Sequence, residues 1–237
     1  MLDPAGRVIM VSGASRGIGR AIAERLLDKG YALSLGARVP EALREDLGDS
    51  APDRLLCCRY VAEDRATHES WLAETLERFG RVDGLVNNAG GTIDFTIEEG
   101  EEEDLDHLWA VNVKGPLFMT RLCLPHLKAA GNGRIVNVSS LSGKRVRNEN
   151  VAYNMSKYAL MALTHGSRRL GWEDGVRVTA LCPSFVRTDL TAGTNKISPE
   201  EMIDPGDLAE LAATVIALPN TAAVAELLVN CRLEDTL

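Results

Sequence analysis

The chain has 237 residues, with 26 lysines and arginines against 34 aspartates and glutamates, for a formal net charge of −8. That length allows one large α/β domain or two small ones, and a hydrophobic content of 45% supplies a sizeable core. The acidic balance argues against nucleic acid or an anionic membrane as the main partner, and no uninterrupted apolar run is long enough to span a bilayer.

Met1 to Arg7 lack the charged-then-apolar plan of a secretory signal. The cysteines, Cys57, Cys58, Cys123, Cys182 and Cys231, form no Cys-x-x-Cys pair. A cytoplasmic protein with reduced thiols is expected, each cysteine serving as a small apolar core residue.

Arg7 to Ser12 is a short apolar run that reads as a buried parallel strand. Next come Gly13-Ala14-Ser15-Arg16-Gly17-Ile18-Gly19, and then Arg20 to Lys29, with Ile22, Leu26 and Leu27 at helical spacing. Strand, glycine turn and helix together form the context in which such glycines bind a nucleotide. Gly13 can make the tight turn, while Gly17 and Gly19 let the backbone approach a phosphate and let helix pack on strand. The helix start then offers free N–H groups and a positive dipole end to a pyrophosphate. The spacing is Gly-x-x-x-Gly-x-Gly, not the commoner Gly-x-Gly-x-x-Gly.

Tyr31 to Gly36 reads as the second strand, ending at Ala37 and Arg38. No acid stands there to meet a ribose 2′-hydroxyl, whereas Arg38, joined by Arg16 from the glycine turn, suits a 2′-phosphate. The expected cofactor is NADP(H) in preference to NAD(H).

Pro40 to Leu47 reads as a short helix and Leu55 to Tyr60 as a third strand. Ala66 to Phe79 reads as a helix turning Trp71, Leu72, Leu76 and Phe79 to the core, and Gly84 to Val86 as a fourth strand ending in Asn87-Asn88-Ala89-Gly90. The acidic run Glu98 to Asp106 reads as a solvated loop entering a helix. Leu105 to Ala130 reads as one long helix that carries Asn112, a surface or hydrogen-bonding residue, and bends near Gly115 at Pro116. Arg134 to Ser139, Arg177 to Leu181 and Ala225 to Asn230 complete the strands; Val151 to Leu170 and Asp207 to Leu218 complete the helices. The alternation implies a single-domain, Rossmann-like doubly wound parallel sheet with helices on both faces and its ligand at the strands' carboxyl ends. His68, His107, His126 and His165 show no metal-ligand pattern and read as surface or helix residues. Trp109 and Phe118 read as core or subunit-interface residues.

Tyr153 and Lys157 lie one helical turn apart on one face of the Val151 to Leu170 helix. A tyrosine ordinarily titrates near 10, too high for proton exchange at neutral pH, and a neighbouring ammonium favours the phenolate. Such a pair can pass a proton to or from a substrate oxygen.

Taken together these residues resemble the short-chain dehydrogenase/reductase family, over nearly the whole chain from Val8 to about Val229. The resemblance rests on Ser-Gly-Ala-Ser-Arg-Gly-Ile-Gly at 12–19, Asn-Asn-Ala-Gly at 87–90, Asn112, Ser140, Tyr153 with Lys157, and Pro183 with Thr188. It implies Tyr153 as proton donor or acceptor, Lys157 as the group that lowers the tyrosine pKa and holds the nicotinamide ribose, and Ser140 as a donor to the substrate oxygen. Asn112 would help hold a water that links Lys157 to solvent. Ser139 fits the family's serine position less well and reads as structural. The cofactor would lie along Gly13, Ser15, Arg16, Gly17, Ile18, Gly19, Arg38, Asn88, Ala89, Gly90, Pro183, Val186 and Thr188. The resemblance also implies homodimers or homotetramers packed through the helices of Asn112 and Tyr153.

Three features depart from the family. Its Asp-Val after the third strand, an adenine contact, would fall at Val61-Ala62, with Asp64 three positions on. Its Pro-Gly is Pro183-Ser184 here, and the tail after the last strand lacks a glycine-rich end. Ser142 to Asn150, with Lys144, Arg145 and Arg147, is expected to line a substrate pocket, either facing an anionic or polar substrate or carrying exposed loop charge. Asp189 to Pro199 is expected to form a short, polar, mobile second wall. The implied activity is an NADP(H)-dependent oxidoreductase interconverting a small carbonyl and an alcohol. The alternatives are an NAD-dependent alcohol dehydrogenase and a catalytically silent NADP(H)-binding regulator.

Overall fold

The computed structural model describes residues 1–47 and 51–233. One sheet is built from β1 (Val8–Ser12), β2 (Ala32–Ala37), β3 (Leu55–Arg59), β4 (Gly84–Asn87), β5 (Arg134–Val138), β6 (Arg177–Pro183) and β7 (Glu226–Val229). The order across it is β3-β2-β1-β4-β5-β6-β7, and every pairing is parallel. Parallel neighbours need long crossovers. These are α1 (Gly17–Asp28), α2 (Pro40–Leu47), α3 (Arg65–Phe79), α4 (Glu102–Trp109), α5 (Gly115–Ala129), α6 (Val151–Gly171) and α7 (Pro205–Ala217). The direction of winding reverses between β1 and β4, so the crevice of a doubly wound sheet opens at their carboxyl ends.

The two-residue period of a strand explains why both faces are apolar. Ile9 and Val11 pack into one core with Ile22 and Leu26 of α1, Leu43 of α2 and Leu208 of α7. Met10 faces the other way, into a core with Trp71 of α3 and Met119 and Cys123 of α5. The adjacent Cys57 and Cys58 divide in the same manner between the two cores. Trp71, Leu26 and Met119 are fully buried, and each such side chain stabilises the fold by roughly 1.5–3 kcal/mol. All five cysteines are unpaired; four are buried and Cys231 is partly so.

Several expectations need correction. Leu105 to Ala130 is not one regular helix. A π-helical turn, Ala110–Lys114, separates α4 from α5, with the Gly115 amide bonded to the Ala110 carbonyl. The irregularity is centred on Asn112. Pro116 falls in the first turn of α5, a position that proline tolerates. Asn112 itself is buried and hydrogen-bonded, the second of the two roles expected for it. His68 is no surface residue: it is fully buried and stacks on Tyr60 with ring centroids 4.9 Å apart. Burial pushes its pKa down, so the ring is neutral at pH 7. On α3, Trp71 and Leu72 are buried and Leu76 packs against them, but Phe79 is only half-buried, under the Arg78 guanidinium. Trp109 and Phe118 are also half-buried, and Phe118 lies against Arg65 and Arg121. Among the described residues, no helix is long and apolar enough to cross a membrane.

Candidate active site

The β1–α1 turn is fixed by close backbone packing. Gly13 has φ +65°, a left-handed conformation that favours glycine, and its amide bonds to the Gly36 carbonyl at 2.8 Å. A Cβ at Gly13 would lie 2.9 Å from the Ala89 Cα. At Gly19 a Cβ would lie 2.4 Å from the Gly13 carbonyl oxygen and 2.3 Å from the Asn88 amide nitrogen. Both glycines are therefore required by contact between the turn and the chain leaving β4. The Asn88 side chain donates to the carbonyls of Ser12 at 3.1 Å and Gly13 at 3.0 Å. The Ser12 hydroxyl accepts from the amides of Asn88 at 3.0 Å and Ala89 at 3.1 Å. Sequence reasoning missed Ser12, whose one signal is a hydroxyl closing an otherwise apolar strand.

α1 starts at Gly17, which has φ +57°. Arg16 at the N-cap gives no side-chain hydrogen bond to the first turn, and that turn holds no acid. Its N–H groups and positive dipole end therefore face the carboxyl edge uncapped by any side chain, which fits a pyrophosphate. Ser15 and Arg16 are exposed, and Ile18 packs on the core. Arg38 is exposed directly after β2. Arg16 meets Asp189 across the groove, at 3.1 Å between Nη1 and Oδ2, with both side chains well exposed. Thr188 lies against the glycine turn: a Cβ at Gly17 would be 3.2 Å from its methyl carbon. Val186 is buried and bridges to Ile203, and Pro183 is the last residue of β6.

A second group converges where β4 and β5 end. The Lys157 ammonium donates to the Val138 carbonyl at 3.1 Å and lies 5.5 Å from the Tyr153 ring centroid. A Cβ at Gly90 would lie 3.8 Å from Lys157 Nζ and 3.1 Å from Asn112 Oδ1. Asn112 Oδ1 accepts from the Gly91 amide at 2.9 Å, and its Nδ2 donates to the Gly91 carbonyl and to Ser156 Oγ, both at 3.0 Å. Ser156 in turn donates to the Tyr153 carbonyl at 2.8 Å. The π-turn thus aims Asn112 at both the strand end and α6. Asn150 caps α6 by accepting from the Tyr153 amide at 3.1 Å, which fixes the start of the helix beside the site. Ser140 stands just beyond β5, accepting from the Ser142 amide at 3.1 Å.

Electrostatics differ from the simple expectation for this pair. Burial pushes the Tyr153 phenol up, and a hydrogen bond from Ser140 pulls it part of the way back. Burial pushes Lys157 down to about 8. The Lys157 ammonium is engaged by the Val138 carbonyl, and the Ser140 hydrogen bond opposes the upward push of burial on Tyr153. Ser156 and Asn150 were missed in sequence, as was the buried ladder in which Asn87 donates to Asn137 at 2.8 Å and Asn137 to Thr164 at 2.8 Å. Asn87 and Asn137 are polar residues inside apolar strands, and that was the available signal. Ser139 is buried, its hydroxyl 3.4 Å from the Lys157 carbonyl, as a structural residue would be.

Lys144 does not stand free to meet a substrate anion. It pairs with Glu226 of β7 at 2.7 Å. Asp64 caps α3 by accepting from the Ala66 amide at 3.0 Å. The Ser184 hydroxyl turns towards the chain after β7, accepting from the Cys231 amide at 2.9 Å. Asp189 to Pro199 contains the 3-10 turn Asp189–Thr191 and is anchored by the buried Ile197. Residues 234–237 of the tail lie outside the described residues.

This sheet order and its crevice define a Rossmann-like doubly wound α/β fold. A family model for short chain dehydrogenases matches residues 7–198, and the chain belongs to that family. It is 44% identical over 229 residues to an agropine synthesis reductase of Rhizobium rhizogenes, covering 96% of this chain and 53% of that relative. The chain thus spans about half the length of that protein. The alcohol dehydrogenase of Thermococcus sibiricus, complexed with 5-hydroxy-NADP, superposes with a TM-score of 0.86 at 31% identity, covering 94% of this chain and 95% of that one. A 3-ketoacyl-(acyl-carrier-protein) reductase of Brucella melitensis, complexed with NADH, gives 0.86 at 28% identity over 96% and 98%.

Proposed function

We propose that the protein is an NADP(H)-dependent reductase that converts an aldehyde or ketone to an alcohol. The carrying observation is the convergence of Ser140, Tyr153, Lys157 and Asn112 at the ends of β4 and β5, beside the uncapped start of α1. Gly13 to Gly19 would hold the pyrophosphate and Arg38 the 2′-phosphate. Asn88 to Gly90, Pro183, Val186 and Thr188 would line the nicotinamide half, with Tyr153 and Lys157 at its ribose. The bound cofactor supplies a hydride to the carbonyl carbon.

As that C–H bond forms, the C=O π pair moves onto oxygen. Ser140 and Tyr153 donate hydrogen bonds to the growing charge, and the Tyr153 O–H proton passes to it. Lys157, its Nζ 5.5 Å from the Tyr153 ring centroid, would stand beside the phenolate left behind. A phenol that keeps its proton at neutral pH, as an ordinary tyrosine does, is the donor that the reductive direction needs. The names of the Rhizobium and Brucella relatives, both reductases, support it too.

The deciding experiment is NADPH oxidation over a panel of aldehydes and ketones, with NADH in parallel. Turnover with NADPH preferred is expected. Tight NADPH binding without turnover on any carbonyl would point to a regulator instead, and a preference for NADH with alcohol oxidation would point to an NAD-dependent dehydrogenase. A cytoplasmic homodimer or homotetramer is part of the same reading. An apolar groove between α5 and α6, with Leu117, Leu124, Leu163 and Leu170 among its walls, supports that association. Mass in solution tests it.

A further inference from the structure

Ser140 combines its reach to Tyr153 with one long and one local contact. Its hydroxyl lies 3.5 Å from the Pro183 carbonyl, at the limit of a hydrogen bond, and accepts one local amide. The next three residues are better anchored. Leu141–Gly143 forms a single 3-10 turn, and Leu141 packs on Met161, Ala180 and Cys182. Lys144 closes that turn, its amide bonded to the Leu141 carbonyl at 2.9 Å.

The Lys144 ammonium then reaches Glu226 Oε2 at 2.7 Å. The other oxygen, Oε1, meets His165 Nε2 of α6 at 2.8 Å. Glu226 opens β7, where it pairs with Ala180 of β6. One carboxylate therefore joins the turn after Ser140, the sheet edge, and the helix that carries Tyr153. Lys144 and Glu226 are largely shielded, with side-chain exposures of 25% and 20%, so this pair is screened less than an ordinary surface ion pair. Burial alone would push the Glu226 carboxyl up; the hydrogen bonds from Lys144 and His165 outweigh it and hold the group below its ordinary value.

We propose that Glu226 is a positioning residue, clamping the turn after Ser140 so that the Ser140 hydroxyl stays in hydrogen-bond reach of Tyr153. The proposal deepens the reductase reading and rests on it for its catalytic consequence. It also gives Lys144 a role unrelated to substrate charge. Geometry is the reason the clamp matters, since misplacing a reacting group by about 1 Å can cost about a hundredfold in rate.

The test is Glu226→Gln, which keeps the size of the side chain and removes its charge. β7 keeps its ladder to β6 and the Ser184–Cys231 tie, so the fold should survive. The first readout needs no substrate: the phenolate absorbance of Tyr153, taken as the difference from Tyr153→Phe in each background. The Ser140 hydrogen bond lowers the Tyr153 pKa, so loosening it should move that titration upward by about half a pH unit, the scale of one weakened hydrogen bond. The second readout is kcat with NADPH and diacetyl or benzaldehyde as probe carbonyl, expected to fall about tenfold while NADPH affinity stays within about twofold. The exchanged pair Lys144→Glu with Glu226→Lys should restore most of both. An unmoved Tyr153 titration would overturn the clamp, as would a loss of NADPH affinity equal to the loss of kcat. A moved titration with unchanged kcat would support the clamp and count against the catalytic reading alone.

Discussion

The two ends of the carboxyl edge are built from different materials. Around β1 and β4 the crevice is backbone against backbone, with Gly13 against Ala89 and Gly19 against the Gly13 carbonyl, and Ser12 and Asn88 bonding main-chain groups. Around β5 to β7 it is held by side chains from distant stretches, Lys144 and His165 on Glu226 and Asn112 on Ser156. A backbone-built pocket suits a ligand part common to many enzymes, a pyrophosphate in the proposed reading, and leaves little room for an added atom at Gly13 or Gly19. A side-chain-built wall can be retuned by substitution, which is where substrate choice and proton transfer belong.

Substitutions at the two ends can break this contrast. Gly19→Ala should be severe. Its methyl would sit 2.4 Å from a carbonyl oxygen that has nowhere to go, and a loss of about 2–3 kcal/mol in chemical denaturation is expected, together with weakened cofactor binding. Arg38→Asp should weaken NADPH by about ten- to a hundredfold more than NADH, the scale of one charged hydrogen bond, in paired titrations. Equal weakening of the two would place the 2′-phosphate elsewhere.

Lys157→Met tests the other end. The folded value of Lys157, about 8, lies below the ordinary 10.5, so between them the unfolded chain binds more protons and native stability rises with pH. The cost of burying the charge is fully present below about 8 and is relieved as pH approaches 10.5. The wild type should therefore gain on Lys157→Met across that interval, by up to about 1 kcal/mol per pH unit, in unfolding curves run side by side. The mildest change, Gly193→Ala, meets nothing within 4 Å and should alter stability by less than about 0.5 kcal/mol.

The same contrast explains what could be read from the chain alone. The strand–turn–helix from Val8 to Asp28 was legible because its determinants are local: an apolar run, glycines and a helical period. Sheet class and winding came from the alternation of elements. The π-turn at Asn112 was invisible, because one widened turn barely disturbs hydrophobic spacing along Leu105 to Ala130. His68 falls in a helix, α3, as one of its two readings had it, but its burial was not legible because it depends on stacking with Tyr60. Lys144 was read as pocket lining because its partner, Glu226, lies far along the chain. Tyr153 and Lys157 share one face of α6, as their spacing implies, while the opposite effects of burial on the two groups leave no trace in a sequence pattern.

The most direct test concerns the Tyr153 proton. In Tyr153→Phe, NADPH affinity and NADPH-dependent carbonyl reduction should be measured on the same preparation. The ring remains and the donor is gone, so near-total loss of turnover with NADPH affinity within about twofold of wild type is predicted. Reduction at the wild-type rate by this variant would contradict the assignment of Tyr153 as proton donor, and with it the reductase reading of the site.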